Sequence, residues 1–304
     1  MRIAFIGLGH MGGPMAINLA KGGHDVVGFD LVQAATEPAR AAGVSIGASA
    51  AEAVAGAEVV ITMLPAGRHV ISAYSGTPEA PGLLASAAPG TLFIDSSTIA
   101  VDDARQAHDL ALAAGHRAMD APVSGGTVGA EAGTLAFMVG GSAEDFAVAE
   151  PILAIMGGRI VHCGGTGLGQ AAKVCNNLIL GITMIGVSEA FVLGEKLGLD
   201  NQALFDVASN ASGQCWALTT NCPVPGPVPT SPANRDYRPG FAGALMAKDL
   251  GLAEQAITST GVNAEIGLLA AAIYRRFAEG AGAGLDFSGI INDIRQTSDE
   301  GVAA

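Results

Sequence analysis

The chain has 304 residues, half of them hydrophobic and only 14% charged, a composition that excludes intrinsic disorder and supplies cores for one large or two medium domains. A formal net charge of −13 excludes a nucleic-acid-binding surface, which needs clustered Lys and Arg to neutralise phosphates. An anionic ligand must therefore be captured by local positive groups or by backbone N–H groups.

Met1-Arg2 and the apolar run behind it open like a signal peptide, but the run breaks at Gly7 and no cleavage region follows. It reads instead as a first strand over 2–6. Strands are expected next over 25–29, 59–63, 92–95, 117–120, 135–139 and 159–162. Alanine-rich helices are expected between them over 12–21, 34–42, 48–55, 101–114 and 143–155. Strands that alternate with helices in this way imply a mostly parallel sheet covered by helices.

Gly7-Leu8-Gly9-His10-Met11-Gly12 lies where the first strand meets the first helix, the context that gives a Gly-x-Gly-x-x-Gly motif its meaning. Gly7 permits the tight turn, Gly9 lets backbone approach a pyrophosphate, and Gly12 allows helix to pack on strand. The helix N-terminus then offers N–H groups and partial positive charge to the phosphates. Asp30 ends the second strand, 18 residues after Gly12, where a carboxylate accepts ribose hydroxyls and repels a 2′-phosphate. An α/β Rossmann-type domain that favours NAD over NADP is the reading; FAD shares the fingerprint.

Met63-Leu64-Pro65 and Asp95-Ser96-Ser97-Thr98 follow later strands, and ligands of open α/β sheets collect at such carboxyl ends. Turns or helix caps look the same, with Ser97 or Thr98 as a cap for the helix that begins at Val101. Asp120-Ala-Pro-Val-Ser124-Gly125-Gly126 also leaves a strand, and its paired glycines expose N–H groups beside a hydroxyl. That arrangement suits a carboxylate, although a plain tight turn has the same composition.

Strand signals cease after about Gly169, so the first domain is placed at 1–163 and an all-helical substrate and oligomerisation domain at 164–304, opened by one long helix over 168–197. Within that helix the apolar run over 178–187 is too short for a bilayer and reads as a buried segment. Lys173 stands beside this run. Burial penalises an ammonium, so a lysine there is paired, tuned for proton transfer, or snorkels to water from the helix start. Asn177, four residues on, shares its helix face. Further on, a Pro-rich loop over 223–229 interrupts the helices. The single tryptophan, Trp216, lies in a polar, glycine-flanked turn instead of an apolar stripe, which favours a pocket. Lys248-Asp249 alone reads as a solvated pair. Cys163, Cys175, Cys215 and Cys222 form no Cys-x-x-Cys pair and read as reduced thiols of a cytoplasmic protein, and the six scattered histidines imply no metal site.

Taken together, the segments Phe5-Ile-Gly-Leu-Gly-His-Met-Gly12, Asp120-Ala-Pro-Val-Ser-Gly-Gly126, Lys173-Val-Cys-Asn-Asn177 and Met246-Ala-Lys248-Asp249-Leu250 give the chain a resemblance to the β-hydroxyacid dehydrogenase family over nearly its whole length. Ser212-Gly-Gln-Cys-Trp216, Asn221-Cys-Pro-Val-Pro-Gly226 and Asp286-Phe-Ser288 narrow the resemblance toward members that oxidise 3-hydroxyisobutyrate to methylmalonate semialdehyde in valine breakdown. The resemblance implies that Lys173 is the catalytic acid/base, that Ser124, Gly125, Gly126 and Asn177 hold the substrate, and that Trp216 and Phe241 wall the pocket. By the same resemblance Asp249 supports the site and Lys248 lies at the nicotinamide and substrate. His10, Leu64, Pro65 and Thr98 match cofactor-lining positions.

Asp30-Leu-Val-Gln33 lacks the arginine of NADP-dependent relatives. L-serine, tartronate semialdehyde and glyoxylate chemistry are the alternatives on the same scaffold; Lys173 counts against an imine reductase, and a non-catalytic NAD sensor would leave Lys173, Asn177 and Lys248 idle together. The family commonly forms homodimers or homotetramers, and the apolar helix fits such association.

Overall fold

The computed structural model describes residues 1–77 and 80–300 and divides into two compact units, Met1–Lys173 and Val174–Ala304. In chain order the first unit contains β1 (Arg2–Ile6), α1 (Gly12–Lys21), β2 (Asp25–Phe29), α2 (Gln33–Ala41), β3 (Ser45–Ile46), α3 (Ala50–Val54), β4 (Val59–Thr62) and α4 (Gly67–Ser75). It continues with β5 (Gly76–Thr77), β6 (Ala80–Pro81), α5 (Leu83–Ser86), β7 (Leu92–Asp95), α6 (Val101–Ala113), β8 (Arg117–Asp120), β9 (Val123–Ser124), α7 (Gly126–Ala132), β10 (Leu135–Gly140), α8 (Ala143–Leu153) and β11 (Gly157–Gly164).

The main sheet runs β11-β10-β8-β7-β4-β1-β2-β3, with β9 paired to β10 off that path. Neighbours from β3 across to β8 are parallel, β10 turns antiparallel against β8, and β11 is parallel to β10. The expected α/β fold with a mostly parallel sheet is therefore present. Because order reverses between β1 and β4, a crevice opens beyond their carboxyl ends, where the glycine motif and Met63-Leu64-Pro65 emerge.

Both sheet faces are buried, and β1 illustrates how. Ile3 and Phe5 enter one core with Met15 and Leu19 of α1, while Ala4 and Ile6 enter a second with Val70 and Tyr74 of α4. A strand covered on both sides needs apolar residues at every position, which is why these strands appear in the sequence as uninterrupted apolar runs.

α4 and α7 were not expected. Their N-cap residues, Ala66 and Gly125, supply no side-chain cap bond, and each helix opens on glycine, so the usual start signals are missing. By contrast α3 and α8 carry them: Ser49 accepts the Glu52 N–H and Ser142 accepts that of Asp145.

The second unit is helical. α9 (Leu168–Lys196) runs into it from the first, followed by α10 (Asn201–Ala208), α11 (Trp216–Thr219), α12 (Gly243–Thr260), α13 (Glu265–Glu279) and α14 (Ile290–Glu300). Met184, Met246, Leu250, Tyr274, Phe277, Phe287 and Ile290 form its main core. α9 corrects one sequence expectation. Its 29 residues make it long and apolar enough to cross a membrane by length and composition, whereas the run over 178–187 was too short; 44% of its most apolar window is buried within the protein.

Candidate functional site

The glycine motif folds as a turn that only small residues allow. Gly7 has φ +97°, and a Cβ on it would lie 2.3 Å from the Met63 carbonyl oxygen. A Cβ on Gly12 would lie 1.9 Å from the Gly7 oxygen, so α1 is pressed against β1. Gly9 differs, because nothing lies within 4 Å of its added Cβ. Protein packing leaves that space open, and Met11, the N-cap of α1, makes no side-chain cap bond. A helix end with open space before it fits the pyrophosphate of a dinucleotide.

Asp30 grips this turn. Its Oδ2 accepts the Leu8 N–H at 2.7 Å and its Oδ1 accepts that of Val32 at 2.8 Å. One carboxylate thus ties the ends of β1 and β2 together while remaining only partly buried. Leu64 joins the same group from β4, its side chain lying beside Gly7 and its N–H donating to the Ser97 hydroxyl at 2.8 Å. Leu8 is buried, His10 and Pro65 are exposed, and Met11 and Thr98 are half-buried. The NAD fingerprint residues from the ends of β1, β2, β4 and β7 are therefore assembled in one unit.

Ser97 is not a helix cap; Ala100 occupies that position before α6 and makes no side-chain cap bond. The Ser97 hydroxyl instead donates to Asp95 Oδ1 at 2.6 Å, and Thr62 donates to the same oxygen at 2.7 Å. Burial pushes the Asp95 carboxyl up to about 6, opposed by these hydroxyl donors. Its Oδ2 is buried without a hydrogen-bond partner.

Ser124 ends β9, held by pairing with Ala136 of β10, and Gly125 and Gly126 (φ +134° and +62°) turn the chain into α7. The turn is thus a strand-to-helix junction with Gly125 exposed and Ser124 half-buried. Asp120, four residues earlier, holds the start of α9: Oδ1 accepts the Gly167 N–H and Oδ2 the Gln170 N–H, each at 2.7 Å. Burial raises the Asp120 carboxyl above the ordinary range, with the surrounding backbone N–H groups opposing the shift.

Lys173 is buried, at 6% exposure, and Asn177 one turn further along α9 is buried at 2%. In the second unit the Asn177 amide donates to Asp249 Oδ2 at 2.6 Å, and Lys248 Nζ lies 3.5 Å from Asp249 Oδ1. Lys248-Asp249 is therefore no solvated pair: Asp249 is buried and Lys248 half-buried.

Phe241 packs edge-on against Phe287 at 5.6 Å, and its N–H donates to Asp286. Asp286 also accepts from Asn221, Ser288 and the Gly240 N–H, which fixes the approach to α12. Trp216 opens α11 with its residue surface 52% exposed, so it is not walled in by its own unit. All four cysteines are free, and no cluster of three metal-ligating side chains occurs among the described residues.

Gln170, Asp120 and Asp286 carry no role of their own that is legible in the sequence. The available signal was a fully polar side chain inside an apolar stretch, which for Gln170 is a single amide at a helix start and easily read as a surface residue.

A family profile described as the NAD binding domain of 6-phosphogluconate dehydrogenase matches residues 2–165, and one described as NAD-binding of NADP-dependent 3-hydroxyisobutyrate dehydrogenase matches residues 167–294. A probable 3-hydroxyisobutyrate dehydrogenase of Mycobacterium tuberculosis is 56% identical over 98% of this chain and 99% of its own. An NAD-dependent L-serine dehydrogenase of Pseudomonas aeruginosa is 50% identical over 94% and 95%. The solved structure of Mycobacterium tuberculosis 3-hydroxyisobutyrate dehydrogenase with L-serine superposes with a TM-score of 0.92, covering 97% of this chain and 99% of that one.

Proposed function

Since the chain belongs to the β-hydroxyacid dehydrogenase family and is an NAD-dependent oxidoreductase acting on a small hydroxy acid, we propose that its substrate is 3-hydroxyisobutyrate, oxidised to methylmalonate semialdehyde with Lys173 as general base. The observation that carries the reading is the burial of Lys173 one helical turn before an equally buried Asn177 whose amide is held by Asp249. The neutral amine is the form of a lysine that accepts a proton.

In the forward direction Ser124 and the N–H groups of Gly125 and Gly126 bind the substrate carboxylate, and Asn177 orients the reacting hydroxyl. Neutral Lys173 removes the hydroxyl proton, and in reduction its ammonium returns it. Bound NAD⁺ supplies the acceptor for the hydrogen leaving the carbinol carbon with its electron pair. Asp249 keeps the Asn177 amide in place, Lys248 adds positive charge at the cofactor and substrate, and Trp216 with Phe241 bounds the substrate space. Gly7, Leu8, Gly9, His10, Met11, Gly12, Asp30, Leu64, Pro65 and Thr98 form the cofactor set, with Asp30 selecting NAD over NADP. A positioned base supplies about 10²- to 10⁴-fold. Lys173→Ala is expected to lose kcat by at least that factor with NAD affinity intact, measured by initial rates and calorimetry; near-normal kcat removes Lys173 from the chemistry.

L-serine is the second reading, favoured by the Pseudomonas relative and by the ligand of the mycobacterial structure. An initial-rate panel of hydroxy acids ranks the two by kcat/KM. A role in valine breakdown is supported if 3-hydroxyisobutyrate ranks first, and the four unpaired cysteines favour a cytoplasmic setting. We place the domain boundary at 163/164, with the dinucleotide-binding fold before it and, after it, a helical domain that contributes Lys173, Asn177, Trp216 and Phe241 to the substrate. Association into a homodimer or homotetramer through the helical domain is supported by the exposed Ile179 and Leu193 of α9, and a monomeric mass by light scattering removes it.

A further inference from the structure

We propose that Gln170 is a positioning residue for Lys173, its side chain clamping the first turn of α9 to the segment Ser97–Ile99 at the carboxyl end of β7. The inference deepens the reading of Lys173 as the base and rests on it. Gln170 has no solvent exposure, and both ends of its amide are used. Nε2 donates to the Ser97 carbonyl at 2.7 Å, and Oε1 accepts the Ile99 N–H at 3.2 Å. A two-point bond to one stretch of backbone fixes orientation as well as distance. The Gln170 backbone N–H is bonded in turn to Asp120, which also holds the Gly167 N–H, so the helix start is fixed from both sides.

The consequence for Lys173 follows from helix geometry. It lies three residues after Gln170, on the neighbouring surface of the same turn, and inherits whatever rotation the clamp imposes. A misplacement of about 1 Å at a reacting group costs on the order of 10²-fold in rate. The other end of the clamp is informative too, because the Ser97 hydroxyl accepts the Leu64 N–H from the cofactor-lining loop. Ser97 therefore meets the cofactor-lining loop through its hydroxyl and the turn that carries the base through its carbonyl.

Gln170→Glu tests this with little change of shape. The introduced carboxyl donates to the Ser97 carbonyl only when protonated, and when ionised it opposes that oxygen. The ratio of variant to wild-type kcat with 3-hydroxyisobutyrate and NAD⁺ is expected to fall at least tenfold as pH rises and to recover as pH falls. Gln170→Met, which deletes both bonds at similar volume, is expected to lower kcat about 10- to 10²-fold at every pH, with the NAD dissociation constant and the hydroxy-acid KM within threefold of wild type. In the cofactor-free proteins, amide hydrogen exchange over 168–173 is expected to be faster in both variants at high pH.

A pH-independent ratio for Gln170→Glu overturns the proposal, as does unchanged kcat in Gln170→Met or a loss of kcat matched by a tenfold loss of NAD affinity. Lys173→Ala, assayed alongside, separates the two levels. If it keeps wild-type kcat, the reading of Lys173 fails; if it is inactive while the Gln170 variants turn over normally, only the positioning role fails. Should Gln170→Met not fold, the pH series of Gln170→Glu, begun where its donor is restored, still decides.

Discussion

Gly9→Ala and Gly12→Ala place the same methyl group three residues apart and should fail for different reasons. At Gly12 the new Cβ would lie 1.9 Å from the Gly7 oxygen and 2.9 Å from Phe5 Cε1. Neither neighbour yields easily, since Gly7 is bonded through its N–H to the Phe29 carbonyl and Phe5 is fully buried. Overpacking of this kind costs about 1–3 kcal/mol or more, so Gly12→Ala should unfold at lower urea. At Gly9 nothing lies within 4 Å, so the unliganded variant should match wild type within about 0.5 kcal/mol. A pyrophosphate against that backbone would be displaced by the methyl, and a tenfold loss of NAD affinity corresponds to about 1.4 kcal/mol. Linkage makes the loss visible in melting: NAD at 100 times the wild-type Kd stabilises wild type by about 2.7 kcal/mol and a tenfold weaker binder by about 1.4 kcal/mol. Titration calorimetry and urea unfolding with and without NAD measure both quantities. Wild-type NAD affinity in Gly9→Ala would refute the placement of the pyrophosphate over Gly9.

Asp30→Asn removes the charge that repels a 2′-phosphate, so the ratio of kcat/KM for NAD⁺ to that for NADP⁺ should fall at least about tenfold, or about 1.4 kcal/mol; an unchanged ratio in initial-rate assays assigns the preference elsewhere. Asp95 predicts a pH dependence of stability. Its carboxyl sits at about 6 in the folded protein against 3.8 as an ordinary aspartate, so as pH falls through 6 the folded state takes up a proton that the unfolded chain does not. Stability from this group therefore rises toward acid, by about 1.4 kcal/mol between pH 7 and 5. Asp95→Asn should lose that increment in urea unfolding at the two pH values, and identical slopes would contradict the shift. Asp249→Ala leaves the buried Asn177 amide without its acceptor and should cost about 1–3 kcal/mol of stability together with a large part of kcat. A stability change under about 0.5 kcal/mol would show that Asn177 finds another partner.

Local physics made the cofactor half legible. β1, β2 and β7 lie at their expected residues because a strand buried on both faces must be apolar throughout, and the glycine motif marks its own turn through steric exclusion. Lys173 and Asn177 were identifiable as a pair because helix periodicity alone puts them on one face. α4 and α7 were illegible because both begin on glycine without a capping side chain, as α1 does, but lack the dinucleotide motif that marks where α1 starts. The antiparallel turn at β10 was illegible for another reason: apolar runs do not encode strand direction.

The sequence by itself thus determined the fold class and the dinucleotide turn, since each depends on residues within a few positions of one another, and it put Lys173 and Asn177 on one helix face, while the proposal of Lys173 as base came from the family resemblance. Only the tertiary structure decided what holds them. Asp120 reaches Gln170 across 50 positions, Gln170 reaches Ser97 across 73, and Asp249 reaches Asn177 across 72. Buried polar groups must find partners wherever folding brings them, and that requirement leaves no spacing in the chain by which the partner can be read.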